Sequence, residues 1–94
     1  MPICGKWERL VNWAEREGNS AKALEFKEKL VECVVYTAYE KVRKKRLEEA
    51  EELIKYGREV AKKFAIEELG FHLSLIEKEV ARIRERRKAA AQTR

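Results

Sequence analysis

The chain has 94 residues, 41% of them charged, with one Pro and no Asp, which points to one small domain of the all-α class. The formal net charge is +5, and the single His, the missing Asp and the absence of P-loop, GxGxxG and GxSxG patterns exclude the common catalytic arrangements, so a nonenzymatic chain with no cofactor is expected. No apolar run approaches the roughly 18–20 residues of a membrane span and the first residues carry no signal-peptide pattern, so the expected location is cytoplasmic with no membrane partner.

The first expected helix covers residues 6–17, where Trp7, Leu10, Val11 and Ala14 recur at i, i+3, i+4, i+7. Gly18 suits the left-handed position that ends a helix, and Asn19 or Ser20 can cap the next one. Trp7 reads as core. Trp13 lies off the stripe and suits a second contact surface, because Trp is enriched at interface centres.

A second helix is expected over 20–43. At 100° per residue, Leu24, Val31, Val35, Ala38 and Val42 share one face, and Ala23, Phe26, Leu30, Cys33 and Val34 widen it past half the circumference. Such a helix is either central to a bundle or packed partly on another chain. Trp13, Phe26, Leu30, Cys33 and Tyr36 are therefore the candidate partner interface. Cys4 and Cys33 have no CxxC spacing, and Cys33 within an apolar run reads as a small core or interface residue.

Lys41-Val42-Arg43-Lys44-Lys45-Arg46 follows, five cations with no acid among them. No Gly or Pro interrupts the chain here. A single helix over 20–69 would be about 75 Å long and would leave a wide apolar arc uncovered, so a turn at 43–46 is expected. The third helix is expected over 47–69, with Ala50, Leu53, Ile54, Gly57, Val60, Ala61 and Phe64 on its inner stripe and Glu51–Lys55 and Glu59–Lys63 as i, i+4 pairs. A hairpin at this turn puts Gly57 opposite Cys33 and Val34, where its lack of a side chain permits close approach. Gly70 is expected to break the third helix. Ser74-Leu75-Ile76-Glu77 matches a capping box for the fourth, with a start nearer Phe71 as the alternative. The fourth stripe is Leu73, Ile76, Val80 and Ile83. Residues 1–88 form the expected domain, with 89–94 a frayed basic tail.

The charge is segregated. Residues 41–46 carry +5 and residues 82–94 another +5, which leaves −5 for the rest of a chain whose total is +5. An acidic body with two basic runs suggests an anionic partner. An antiparallel bundle would bring both runs to one end. Lys41, Arg43, Lys44, Lys45, Arg46, Arg82, Arg84, Arg86, Arg87 and Lys88 are thus the candidate nucleic-acid-binding residues, contacting RNA or DNA phosphates without sequence readout. The alternative is a protein-interaction or oligomeric assembly module that uses the apolar surface of the second helix. High Glu, Lys and Arg with few Asn, Gln, Cys and Met also match the composition of hyperthermophile proteins.

Catalysis and metal binding find no support. Glu68 precedes His72 by four residues, but the upstream Arg that accompanies the His of HEPN-type ribonucleases is missing. Glu48/Glu52 and Glu51/Glu52 lack the Glu-x-x-His partner of helical-bundle metal sites.

Gly18-Asn19-Ser20-Ala21-Lys22-Ala23-Leu24-Glu25-Phe26 is similar to the junction of a tetratricopeptide repeat, where a Gly turn precedes a helix with small and aromatic packing residues. Arg46-Leu47-Glu48-Glu49-Ala50-Glu51-Glu52-Leu53 echoes it 27 residues later, against a period of about 34 in that family, and the first-helix Trp-Leu-Gly pattern is absent. The likeness implies helix-hairpin geometry. In size, helicity and the clusters Lys41–Arg46 and Arg82–Lys88, the whole chain resembles the small all-helical subunits of CRISPR effector complexes. That resemblance implies a nonenzymatic subunit of a ribonucleoprotein with a role in antiviral defense, present in several copies beside larger protein partners.

Overall fold

A computed structural model describes residues 4–92. These residues form four helices and no strand: α1 (Gly5–Arg16), α2 (Ser20–Arg43), α3 (Leu47–Phe64) and α4 (Glu67–Gln92). The chain is all-α, a small helical bundle.

All three connections are built the same way. An N–H two or three residues past each helix bonds back to the carbonyl five positions earlier: Asn19 to Ala14 at 2.9 Å, Arg46 to Lys41 at 2.8 Å and Ile66 to Ala61 at 2.8 Å. The residue between is left-handed in each case, Gly18 at φ 69°, Lys45 at 62° and Ala65 at 55°. This is the Schellman arrangement, which satisfies the last carbonyls of one helix while reversing the chain. Gly18 and Lys45 stand 27 positions apart, so the internal echo in the sequence is this shared turn. Asn19 then caps α2, its side-chain oxygen accepting from the Lys22 N–H at 3.0 Å.

The third turn falls at Ala65, and not at Gly70. A non-Gly residue in the left-handed region costs about 1 kcal/mol or more. The offset comes from Ile66, which is buried just ahead of α4, and from Leu69, which is fully buried and extends the inner stripe of α4. Gly70 is then an ordinary helix-interior position with open space above it. Ser74 lies inside α4, where its hydroxyl accepts from Arg58 on α3 at 3.4 Å, so the S-x-x-E pattern does not start a helix here.

The bundle is a rod of 60 × 22 × 16 Å with a Cα radius of gyration of 15.7 Å, against about 12 Å for a compact domain of this length. α2 is its axis: it packs against α1, α3 and α4, while the backbone of α1 packs closely along α2 only and reaches α3 through side chains. Much of the wide apolar arc of α2 is thereby covered within one chain. Leu30, Val34, Leu69, Leu73 and Ile76 are fully buried, each such side chain worth roughly 1.5–3 kcal/mol. Leu24, placed by periodicity with the buried face, is 62% exposed. α3 has 18 residues against 24 in α2, so α3 stops short of that first turn, where α1 covers only the Ala23 side.

Gly57 is buried in the closest crossing. A Cβ there would lie 2.9 Å from Val34 Cγ1 and 2.8 Å from Leu73 Cδ1. The expected approach to α2 is present, with α4 as a second neighbour.

α1 is fastened at its free end. Cys4, fully buried, forms a disulfide with Cys33, their Cα atoms 6.0 Å apart. Cys33 is therefore a crosslink and not an available interface thiol. The spacing of 29 residues hides this until α1 folds back antiparallel on α2 and brings its first turn beside Cys33. Trp7 packs on Phe26 at a ring separation of 6.3 Å. Glu8 accepts from the Tyr56 hydroxyl and lies 3.9 Å from Lys63 Nζ, linking α1 to α3. Burial and the Glu8 carboxylate push the Tyr56 phenol well above its ordinary pKa.

Candidate nucleic-acid interface

The turn at 43–46 exposes Arg43, Lys44, Lys45 and Arg46 at one tip of the rod. Their placement follows from the turn itself, because Val42 and Leu47 on either side are buried and anchor it. α4 runs antiparallel to α3, and it has 26 residues against 18. The eight extra residues carry it about 12 Å past the start of α3. Its inner stripe ends at Ile83, so the overrunning segment is exposed from Arg84 to Ala91.

The two basic runs meet as the antiparallel fold requires. Arg84 Nη2 lies 2.6 Å from Glu51 of α3, and Arg87 Nη2 donates to the Lys45 carbonyl at 3.4 Å. Lys45, Arg46, Arg84 and Arg87 line a shallow pocket of about 290 Å³ together with Glu48 and Glu49.

The ten candidate cations then divide by their partners. Lys41 and Arg46 both reach Glu49, at 3.1 and 3.7 Å. Arg43 pairs with Glu40, Arg82 with Glu79, and Arg84 with Glu51. Lys44, Lys45, Arg86, Arg87 and Lys88 have no acid partner among the described residues. All five are exposed. Sequence reasoning missed Glu49 and Glu51 as the acids that engage this end, since only the tertiary fold brings them to it. It also expected Glu51–Lys55 and Glu59–Lys63 pairs. Instead Glu51 meets Arg84 and Lys63 meets Glu8, each on another helix.

Arg82 lies outside the pocket and faces its own helix partner. α4 remains helical through Gln92, so residues 89–92 continue the rod beyond the tip; the last two positions of the basic tail lie outside the described residues. The candidate partner interface is not one surface. Leu30 is in the core and presents nothing to a partner, Cys33 is crosslinked, and Phe26 is half-buried under Trp7. Trp13 and Tyr36 are exposed, at 46% and 70%. Among the described residues no helix is long and apolar enough to cross a membrane.

The family model for archaeal ribosomal protein aL49 matches residues 3–87. The chain matches no curated protein. The family match overturns the expected CRISPR effector subunit and its antiviral role. The features behind that expectation were small size, helicity and basic clusters, which serve phosphate contact in any ribonucleoprotein and do not separate one kind from another.

Proposed function

Because the chain belongs to the archaeal ribosomal protein aL49 family, we propose that it binds ribosomal RNA through the tip formed by the α2–α3 turn and the overrunning end of α4. As a ribosomal-family protein it is a structural component of a ribonucleoprotein and not an enzyme. Its working place is the ribosome in the cytoplasm, beside other ribosomal proteins. The observation that carries the reading is the set Lys44, Lys45, Arg86, Arg87 and Lys88: five exposed cations, from segments about forty residues apart, without an acid partner among the described residues. Cations left unpaired by the fold release the phosphate counterions of an RNA at no cost in broken ion pairs. The remaining candidate cations contribute to the positive field but must first leave a carboxylate.

Phosphate contact gives affinity without base readout. The test is fluorescence anisotropy with rRNA fragments at 50 and 200 mM salt, comparing the wild type with the triple variant Lys44→Glu, Lys45→Glu, Arg87→Glu. The wild type should lose about tenfold or more in affinity over that salt range. The variant should bind at least tenfold more weakly at the lower salt and show a shallower salt slope. Arg82→Glu, which alters a cation already engaged by Glu79, should lose much less. Equal affinity of the triple variant and the wild type refutes the assignment.

A further inference from the structure

The rod has a second feature that its RNA-binding tip does not use. Among the described residues six large apolar side chains are exposed: Trp13, Leu24, Tyr36, Tyr39, Phe71 and Leu75. Tyr36 and Tyr39 border a groove of about 790 Å³ on the outer face of α2, between α1 and α4. Trp7 forms one wall, Glu68 and His72 the other, and Val31 and Val35 line it as well. The His72 ring meets Phe71 edge-on at 6.1 Å, so the apolar surface continues onto α4. α1 and α4 flank this face without closing it, since α1 has 12 residues and its first turn is pinned at Cys33.

The groove differs from the tip in charge. Its ionisable lining is Lys29, Glu32, Glu68 and His72. Lys29 sits 3.8 Å from Glu32, and His72 Nε2 lies 3.6 Å from Glu68. With His72 neutral the lining carries a net charge of −1, in a chain whose segments outside the two basic runs sum to −5. Such a lining offers phosphate no unpaired cation, whereas the tip does. An apolar floor with carboxylates at its edge instead suits a protein segment that brings an aliphatic or aromatic side chain and a Lys or Arg.

We propose that this groove docks a basic, apolar-anchored segment of a neighbouring protein in the same assembly, so that the rod holds RNA at its tip and protein along its side. The proposal rests on the ribosomal reading for its setting. It assigns to Tyr36 and Tyr39 the central contacts, because they combine exposed ring area with a position over the Val35 floor.

The experiment places a benzophenone-bearing phenylalanine analogue at Tyr36 in one sample and at Lys45 in another, in the full chain bound to archaeal ribosomes. After irradiation the Lys45 probe should give an adduct destroyed by ribonuclease, and the Tyr36 probe an adduct destroyed by protease only. An rRNA adduct from Tyr36, an adduct between two copies of this chain, or no adduct from Tyr36 beside a normal one from Lys45 overturns the groove assignment alone. Absence of both labelled proteins from the ribosome overturns the ribosomal reading and the groove assignment with it. In parallel, the Tyr36→Ser, Tyr39→Ser double variant should keep its melting temperature and its affinity for free rRNA fragments while its retention on ribosomes falls about tenfold. Full retention counts against the proposal.

Discussion

Replacing both Cys4 and Cys33 by Ala removes the only covalent tie among the described residues, and the fold fixes how much that should matter. The crosslink spans 29 positions, so loop-closure entropy in the unfolded chain gives a stabilisation of about 3.5 kcal/mol. Domains of this size have only about 5–15 kcal/mol in total. At about 4–8 °C per kcal/mol, the loss is worth about 15–30 °C in melting temperature. Far-UV circular dichroism melts of oxidised wild type, reduced wild type and the Cys4→Ala, Cys33→Ala variant measure it directly. The reduced protein should resemble the variant. Because α1 packs closely on α2 and reaches α3 through Glu8, loss of the tie should also show in the fluorescence of Trp7 and Trp13, both on α1, at temperatures where α2, α3 and α4 still hold together. A shift below about 5 °C would refute the reasoning, since it would mean that the unfolded chain already holds residues 4 and 33 close together. Intracellular disulfides are rare outside hyperthermophiles, and the composition of this chain is of the hyperthermophile kind. The two observations together predict an intact crosslink in protein isolated without added oxidant, readable by intact mass before and after alkylation.

Two glycines on neighbouring helices should respond in opposite ways. Gly57→Ala gains about 1 kcal/mol of helix propensity but drives a methyl group into Val34 and Leu73, a collision that typically costs about 1–3 kcal/mol; urea melts should show net destabilisation. Gly70→Ala meets open space and should stabilise by about 1 kcal/mol, which a lower midpoint than wild type would contradict. Ala65→Gly relieves the left-handed strain at the third turn and should raise the midpoint by about 0.5–1 kcal/mol equivalent. The raised Tyr56 pKa means that the unfolded chain loses its phenolic proton first. The stabilisation is therefore complete below about pH 10 and is lost as pH rises through the higher folded value. Melts between pH 9 and 11.5 should fall more steeply for wild type than for Tyr56→Phe, and parallel curves would discount the Glu8 contact.

Much of this architecture was open to reading along the chain, and the exceptions have specific causes. Val11 and Ala14, or Leu53, Val60 and Phe64, recur at helical spacing and are buried as that spacing demands, with Trp7 partly buried beside them. The turn at 43–46 followed from the need to cover α2, although no Gly or Pro marks it. Gly70 misled for the converse reason: local preference favoured a break there, but the burial gained by Ile66 and Leu69 outweighed the cost of placing Ala65 in the left-handed region. The Cys4–Cys33 bond was invisible because its distance in sequence reflects only how far α1 travels before meeting α2 again.

Charge shows most clearly why a linear reading stops short of a site. Ten cations in two runs look equivalent in sequence, yet they do not offer a phosphate the same thing. Glu49 engages Lys41 and Arg46, and Glu51 engages Arg84, and both acids come from the helix that the turn folds back. An exposed ion pair is worth only about 0–1 kcal/mol, so these three can still exchange a carboxylate for a phosphate, at a small penalty per contact. Lys44, Lys45, Arg86, Arg87 and Lys88 carry no such penalty. The expected ordering is therefore graded. Single reversals at Lys45 or Arg87 should reduce rRNA affinity more than a reversal at Lys41 or Arg84, with Arg46 between them because its distance to Glu49 is the longest of the tip's ion pairs at 3.7 Å. Equal losses at all five positions would show that the tip acts only through its summed field. Loss confined to Lys45 and Arg87 would show that the phosphates sit against the unpaired cations themselves.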